Sequence, residues 1–346
     1  MTDAPAFPDE WCDAGAVRSW IASVLGAPVT GPELVYRVKD WAVTAAFAVD
    51  QGPAPATVVF HACRLSLFAR SAAVHRLLAD HCPGRVPAFL GATERSGQTW
   101  TLYRHFDGTP VGPRMVELAR AFAEVQALVA ALPADRTAGL PAYDLGSVPA
   151  WLDELLADVD SRYERAWRAD GGRLRARLAI PTDVLDQLDR LRPLVAAWVD
   201  DLRAGGWPAS IDHLDLHANN AVVRAGGRVL IFDWEESLLG LPFFSLDRLL
   251  FEARRLDLPD EPFPPPAGGD FETPTVRAVR DAYLAALPWA TLDARRHALD
   301  LALALAPIKG AHEYRVFHES RGGPANAVLV GWFAVRALDA GRRTLT

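Results

Sequence analysis

The residues best suited to chemistry lie in two short polar stretches in the second half of the chain. The first has the pattern H-x-D-x-x-x-x-N, made by His213, Asp215 and Asn220, and the second contains Asp233, thirteen residues further on. Between Asn220 and Asp233 the sequence predicts two short apolar strands joined at Gly226-Gly227. The two residues therefore flank a hairpin, and we expect them to meet at one end of it.

These residue types suit the transfer of a γ-phosphoryl group. Such a transfer needs a carboxylate that orients the attacking hydroxyl and accepts its proton, and oxygen ligands for Mg²⁺. Asp215 fits the first role, whereas Asn220 and Asp233 supply the hard oxygen donors that Mg²⁺ prefers. Two protein ligands leave room for phosphate oxygens and water. His213 fits a supporting role, in which its hydrogen bonds hold the shape of the loop.

The same stretches resemble a known family. Residues 213–220 read His-Leu-Asp-Leu-His-Ala-Asn-Asn and residues 232–235 read Phe-Asp-Trp-Glu. They resemble the catalytic loop and metal motif of the aminoglycoside phosphotransferase and choline kinase-like branch of the protein-kinase-like fold. The resemblance implies that Asp215 is the catalytic base and that Asn220 and Asp233 are Mg²⁺ ligands. The chain departs from the family at Leu214, where glycine is usual.

The resemblance implies an α+β, bilobal fold. Residues 1–106 would form a small antiparallel-sheet lobe with a leading helix and one further helix, and residues 107–346 a mainly helical lobe. Hydrophobic periodicity agrees with this order, because alternating stretches come first and helical spacing follows. It predicts strands over 34–38, 43–49, 57–63 and 99–103, and helices over 67–81, 115–132, 148–169, 182–205, 274–287, 295–306 and 328–341.

The segment Leu102–Pro110 resembles the hinge of this family, which binds adenine through backbone groups. Backbone N–H and C=O groups must form hydrogen bonds whatever the side chains are. We therefore place the contact to the base of ATP or GTP at Arg104, His105 and Phe106.

The chain departs from the family where the phosphates would bind. Kinase-like small lobes carry a lysine on the third strand, paired with a glutamate on the next helix. Here the nearest strand residue is His61, and the helix lacks the glutamate. Three interpretations stay open: Lys39, Arg64 or a protonated His61 replaces the lysine, the nucleotide binds in another pose, or the protein is catalytically silent.

The acceptor is less well specified by the sequence. The resemblance places it against the helices of the large lobe and the residues after Asp233. Carboxylates there would suit an amine-bearing acceptor such as an aminoglycoside, and a tyrosine could cover a sugar or aryl ring. The candidates are Glu235, Glu236, Glu313 and Tyr314.

Three functions are therefore carried forward. The first is an ATP- and Mg²⁺-dependent kinase acting on a hydroxyl of a small molecule, such as an aminoglycoside or another natural product. The second is a kinase-like enzyme that phosphorylates serine or threonine of a peptide. The third is a pseudokinase that binds a ligand or a partner protein without turnover.

Composition narrows the partners. The chain has 346 residues, of which 50% are hydrophobic and 23% charged, with a net charge of −7. That composition is typical of a globular protein, and the absence of a basic block argues against a nucleic-acid partner. Cys12, Cys63 and Cys82 form no C-x-x-C pair, and the sequence has no signal-like or membrane-spanning stretch. We therefore expect a cytoplasmic protein without a membrane partner.

Overall fold

A computed structural model describes residues 13–344 apart from 51, 53–54, 164, 166, 168–171, 262–271 and 324–325. Cys12 lies outside the described residues. The chain divides into two compact units. The first takes in the described residues up to Val111, with Pro133–Leu140 and Asn219–Ser237. The second takes in Gly112–Leu132, Pro141–Ala218 and the described residues from Leu238 onward.

Strands dominate the first unit. Five of them form an antiparallel sheet in the order β1-β2-β3-β5-β4, and a smaller sheet has the order β6-β8-β9. In the second unit, β7 pairs with β10. The strands are β1 (Val29–Val38), β2 (Ala42–Val49), β3 (Ala56–Cys63), β4 (Phe89–Arg95), β5 (Gln98–Arg104), β6 (Thr109–Pro110), β7 (Ser210–Asp212), β8 (Ala221–Val223), β9 (Val229–Ile231) and β10 (Leu238–Gly240).

Helices dominate the second unit, and only α1, α2 and the single turn α4 belong to the first, among the residues described. The helices are α1 (Ala14–Leu25), α2 (Ser71–His81), α3 (Met115–Ala130), α4 (Ala134–Thr137), α5 (Val148–Asp158), α6 (Arg173–Arg177), α7 (Val184–Asp189), α8 (Arg192–Ala204), α9 (Ser245–Asp257), α10 (Pro274–Ala286), α11 (Leu292–Ser320) and α12 (Ala327–Thr344). Within the second unit, α3 packs on α10, and α11 packs on both α5 and α12.

The core of the first unit lies between α1 and one face of the five-stranded sheet. Asp13 caps α1 by accepting hydrogen bonds from the next turn, which satisfies N–H groups that have no partner within the helix. Trp20 on α1 contacts Phe60 and Trp100 edge-on, with ring centroids 6.0 and 5.7 Å away. Successive side chains of a strand point to opposite faces of the sheet. On β3 and β5, the side chains that do not face α1 therefore point to the other face.

The predicted α+β order, with an antiparallel sheet first and helices afterwards, is confirmed. Several boundaries differ. The helix predicted over 182–205 is two helices, α7 and α8, because Pro193 lies in the first turn of α8 and cannot occupy a helix interior without loss. The helix predicted over 148–169 gives way after Asp158 to a wider turn at Val159–Tyr163. The helix predicted over 295–306 instead runs through Pro307 as α11.

The hairpin of β8 and β9 belongs to the first unit. Pro110 pairs with Val222, and the Ile231 N–H donates to the Arg85 carbonyl at 2.8 Å. These bonds explain why the compact units differ from a single division at residues 106–107, which stays a prediction. Among the described residues, no helix is long and apolar enough to cross a membrane.

Candidate active site

Asn220 and Asp233 lie at the same end of the β8–β9 hairpin. Ala221 pairs with Ile231, and beyond this pair the Phe232 N–H donates to the Asn220 carbonyl at 2.9 Å. The Asn220 side chain is buried, whereas Asp233 is exposed and has the left-handed backbone angles φ 67° and ψ 48°. Asp tolerates this conformation better than most residues. One amide oxygen and one carboxylate at one hairpin end are hard donors, which fit Mg²⁺.

A cavity of about 350 Å³ opens beside this hairpin end, within the first unit. Its volume is in the range of small-ligand sites, and aromatic rings supply much of its wall. Phe106 and Phe232 contact each other there with ring centroids 5.3 Å apart. A flat aromatic ligand ring could stack on or pack edge-on against these side chains. The lining residues are Tyr36, Thr44, Val59, His61, His75, Pro87, Tyr103, His105, Phe106, Phe232, Asp233 and Glu235.

His61 and Glu235 form an ion pair on the wall of this cavity. The Nε2 atom of His61 lies 2.8 Å from Oε2 of Glu235, and the two side chains are 18% and 10% exposed. The other ring nitrogen, Nδ1, lies 3.0 Å from Oγ1 of Thr44 on β2. An imidazolium has two N–H donors. The donor at Nδ1 faces Thr44, whereas Nε2 faces Glu235 as an ion pair without hydrogen-bond geometry.

Both members of this pair are held in their charged forms. Burial alone would lower the pKa of His61, but the Glu235 carboxylate and a hydrogen bond to Cys63 raise it to about 10. Burial alone would raise the pKa of Glu235, but His61, and to a smaller extent Lys39 and His75, lower it. The charge on each partner stabilises the charge on the other.

This pair differs in two ways from the lysine–glutamate pair that kinase-like small lobes carry on their third strand and next helix. The cation is a histidine on β3, and its role as a replacement for the lysine stays a prediction. The carboxylate comes from the turn after the hairpin and not from α2. The prediction that Glu235 contacts the acceptor is not supported by this arrangement, because His61 already engages its carboxylate. Glu236 follows on the same turn and is partly exposed.

Of the three residues predicted to contact a nucleotide base, Phe106 has a backbone N–H left for a ligand within the part of the chain that the structure describes. The Arg104 N–H donates to the Ala88 carbonyl at 2.9 Å, and the His105 N–H donates to the Thr57 carbonyl at 3.1 Å. The N–H of Phe106 forms no hydrogen bond with any residue that the structure describes. Phe106 is therefore the one of these three residues with a backbone donor available to a base, and the predicted contact at Arg104, His105 and Phe106 stays a prediction.

Lys39 lies in the turn between β1 and β2. Its N–H closes the turn by donating to the Ala42 carbonyl at 2.8 Å, and its ammonium group lies 4.7 Å from the ring centroid of Trp41. Its influence on the pKa of Glu235 shows that its charge acts on the cavity wall. Arg64, the third candidate cation, is exposed just beyond the end of β3.

Asp215 lies in the second unit, on the loop that follows β7. His217 approaches one carboxylate oxygen, with Nε2 3.2 Å from Oδ2, and Arg248 approaches the other, with Nε 3.6 Å from Oδ1. Burial alone would raise the pKa of Asp215, but His217, Arg248 and His213 lower it to about 2. The carboxylate is therefore ionised throughout the physiological range.

The backbone of this loop is unusual at the residue where the sequence departs from its family. Leu214 has φ +59°, in the left-handed region that favours glycine. His213 is fully buried, its N–H donates to Ser245 Oγ at 2.8 Å, and its carbonyl accepts the Asp215 N–H at 2.7 Å. The backbone of His213 therefore helps to hold the loop that carries Asp215, and a role of its side chain stays a prediction.

Glu313 and Tyr314 lie on α11 among packed side chains. The buried Lys309 pairs with Asp212 at 2.9 Å and with Glu313. Burial raises the pKa of Glu313 to about 7, although Lys309 opposes the change. Tyr314 contacts His318 and Phe333. The Glu313 carboxylate is engaged by Lys309, and the Tyr314 ring is packed against two other rings. Neither placement supports recognition of the acceptor.

Sequence reasoning did not find several residues that hold the loop of Asp215. Lys309 follows a proline in an apolar stretch that was predicted to end at Ala306. It is one of only two lysines in the chain, and that scarcity is a signal that could have marked it. Arg248 and Glu252 sit on α9 at an ordinary helical spacing, so nothing in the sequence distinguishes them.

The comparisons with known proteins agree on the family and the fold. Residues 47–286 match the family described as "Phosphotransferase enzyme family". No curated protein matches the chain. The structure of macrolide 2′-phosphotransferase from Brachybacterium faecium is 18% identical, with a TM-score of 0.56, and the match covers 96% of this chain and 98% of that one. A choline/ethanolamine kinase family protein from Mesorhizobium loti is 16% identical, with a TM-score of 0.58 and coverage of 96% and 95%.

A third similar structure, choline kinase from Cryptosporidium parvum, is 11% identical with a TM-score of 0.60, and the match covers 96% of each chain. At these identities the structural neighbours establish the fold, and the family match spans well over half of the chain. The chain belongs to the phosphotransferase enzyme family and has the protein-kinase-like fold that the sequence motifs predicted.

Proposed function

We propose that the protein is an ATP- and Mg²⁺-dependent kinase that transfers the γ-phosphoryl group to a hydroxyl of a small molecule. The observation that carries the proposal is the position of Asn220 and Asp233 at one hairpin end that borders an aromatic cavity. Membership of the phosphotransferase family supports it. The similar structures named for macrolide and choline substrates support a small acceptor in preference to a peptide.

In this proposal the cavity of the first unit holds the nucleotide. The base lies between the aromatic side chains, and the Phe106 N–H donates to it. Asn220 and Asp233 would hold Mg²⁺ through their side-chain oxygens. When bound, Mg²⁺ neutralises charge on the phosphates.

Asp215 receives the proton from the acceptor. The hydroxyl oxygen attacks the γ-phosphorus, the bond from that phosphorus to the bridging oxygen breaks, and ADP leaves. A carboxylate with a pKa of about 2 is a weak base, which suits a loose transition state in which the hydroxyl loses its proton late. Its main contribution is to orient the hydroxyl by accepting its hydrogen bond.

The phosphates need a cation, and among the three predicted candidates Lys39 is better placed than His61. Both ring nitrogens of His61 already have partners, Thr44 and Glu235. A lysine ammonium has three donors and a flexible stem, so Lys39 can keep its position near the wall and still reach an oxygen.

The test is Asp215→Asn. We expect ADP release with an acceptor to fall at least 100-fold, a loss typical of removing a general base, while the dissociation constant for ADP measured by calorimetry stays within about twofold. Asp186→Asn on the exposed face of α7 is the matched control. Retained turnover in Asp215→Asn would refute the assigned base.

A second candidate function, a nucleotide-binding protein without turnover, is favoured by the closed His61–Glu235 pair. A thermal shift separates the candidates in part, because a ligand that binds only the native state raises its apparent stability. Stabilisation by Mg-ATP without ADP release would favour the silent protein. No shift with millimolar Mg-ATP would refute a nucleotide role altogether.

A further inference from the structure

One face of α9 holds the loop that carries Asp215. Ser245, Arg248 and Glu252 are spaced by three and four residues, so they lie on the same side of the helix. Ser245 Oγ accepts the His213 N–H at 2.8 Å, and Glu252 accepts the Ala218 N–H at 2.7 Å. These two side chains therefore fix the backbone at both ends of the loop.

The start of α9 is itself anchored. Asp247 forms a two-pronged ion pair with Arg336 on α12, in which Nη1 donates to Oδ2 at 3.0 Å. A two-pronged pair restricts the orientation of both partners. The position of Arg248, the next residue on the helix, is therefore set by packing within the second unit.

Arg248 differs from the other two side chains of this face. It contacts a side chain and not the backbone, and its Nε lies 3.6 Å from Oδ1 of Asp215, which is longer than a hydrogen bond. The side chain is 44% exposed, and it has no other charged or hydrogen-bonding partner in the described part of the chain. The donors of its guanidinium are thus largely unused, next to the carboxylate that is proposed to receive the acceptor hydroxyl.

Resting on the proposed function, we infer that Arg248 determines acceptor specificity by binding an oxyanion group, a carboxylate or a phosphate, that the acceptor carries close to its reacting hydroxyl. The planar guanidinium matches the two oxygens of such a group. An ammonium group in the same place would be repelled by Arg248. Glu313, the acidic residue of this unit predicted to receive an amine, is engaged by Lys309.

The main alternative is that Arg248 only orients Asp215. The two roles differ in what they change. An orienting residue affects every acceptor by the same factor, whereas a specificity residue changes the ratio between acceptors. The ratio of kcat/KM values is therefore the decisive quantity.

The experiment compares four hexoses that differ in one substituent: glucose, glucosamine, glucuronate and glucose 6-phosphate. ADP release and the mass of the product are measured for the wild type, Arg248→Ala and Arg248→Glu, with Arg120→Ala on the exposed face of α3 as control. We expect the wild type to prefer an anionic hexose, and comparison of the last two probes tells carboxylate from phosphate. Arg248→Ala should lower the preference over glucose about 10- to 100-fold, the range for a hydrogen bond to a charged group. Arg248→Glu should shift the preference towards glucosamine.

Three results would overturn the inference. The first is ATP turnover by the wild type that neither anionic hexose accelerates. The second is an equal loss for all four acceptors in Arg248→Ala. The third is unchanged discrimination in Arg248→Glu. A wild type that neither binds nor turns over ATP would refute the proposed function, and the inference would fall with it.

Discussion

The ion pair between His61 and Glu235 leads to a prediction about pH. The folded-state pKa of His61 is about 10, above its ordinary value of 6.5. Between these values the folded state keeps a proton that the unfolded state has lost. The stabilisation is therefore complete below about pH 6.5 and is lost as the pH rises towards 10.

The size of the effect follows from the same two pKa values. A tenfold change in proton affinity corresponds to about 1.36 kcal/mol, so a rise in the pKa of His61 from 6.5 to about 10 sets a ceiling of about 5 kcal/mol. Both side chains reach solvent at their edges, at 18% and 10% exposure. We therefore expect about 2 to 3 kcal/mol of pH-dependent stability from the pair, after allowing for screening by solvent.

The assay is urea denaturation from pH 6.5 to 10, comparing the wild type with the double variant His61→Gln/Glu235→Gln. Lys39, His75 and Cys63, which act on the same pair, are unchanged in both proteins. We expect the free energy of unfolding to fall more steeply with pH in the wild type. His297 and Asp201 provide a control, because they are also 2.8 Å apart but are 61% and 54% exposed. Replacing His297 with Gln should change the free energy of unfolding by less than about 0.5 kcal/mol.

Single replacements measure the contribution of each partner of the ion pair. Glu235→Gln alone should destabilise the protein by about 3 kcal/mol, because it leaves the buried His61 without its counter-charge. The double variant should cost less than the sum of the two single ones. Identical pH dependence in the wild type and the double variant would refute the conclusion that His61 is protonated in the folded protein.

Three further predictions concern the framework, each measured as a free energy of unfolding in urea. Leu214→Gly should stabilise the protein by up to about 1 kcal/mol, because it relieves a left-handed backbone. The control Leu216→Gly, in the buried part of the loop, should cost more than about 3 kcal/mol. A lower free energy of unfolding in Leu214→Gly would contradict the strain. Gly108→Ala should cost about 1 to 3 kcal/mol, because its Cβ would lie 2.7 Å from that of Val222. The control Gly139→Ala should cost little, because no atom lies within 4 Å of its Cβ position. Equal losses of stability in the two variants would contradict the prediction. Lys309→Met should cost about 3 to 5 kcal/mol, because it leaves Asp212 buried without its cation. Adding Asp212→Asn to this variant should recover part of the lost stability. No recovery would show that the two charges are not coupled.

Patterns that depend on neighbouring residues were read correctly from the sequence. Alternating apolar residues predicted β2, β3 and β5 to within one residue at each end, because the strand period of two is a local property. The position of Asn220 and Asp233 at one hairpin end also followed from the sequence, since two short strands joined by a glycine turn leave little choice of register. Prolines had opposite outcomes. Pro193 broke a predicted helix, whereas Pro307 lies inside α11, where burial among packed helices outweighs its local cost.

The sequence alone determined which residues have the chemistry of a phosphotransferase and along which strands and loops they lie. Only the tertiary structure decided their partners. Glu235 is far from His61 in the sequence and comes from the turn after the hairpin, and Arg248 approaches Asp215 from a helix that begins thirty residues later. The reason is physical: the free energy of an ion pair depends on distance and burial in space, and neither quantity is encoded in the spacing of residues along the chain.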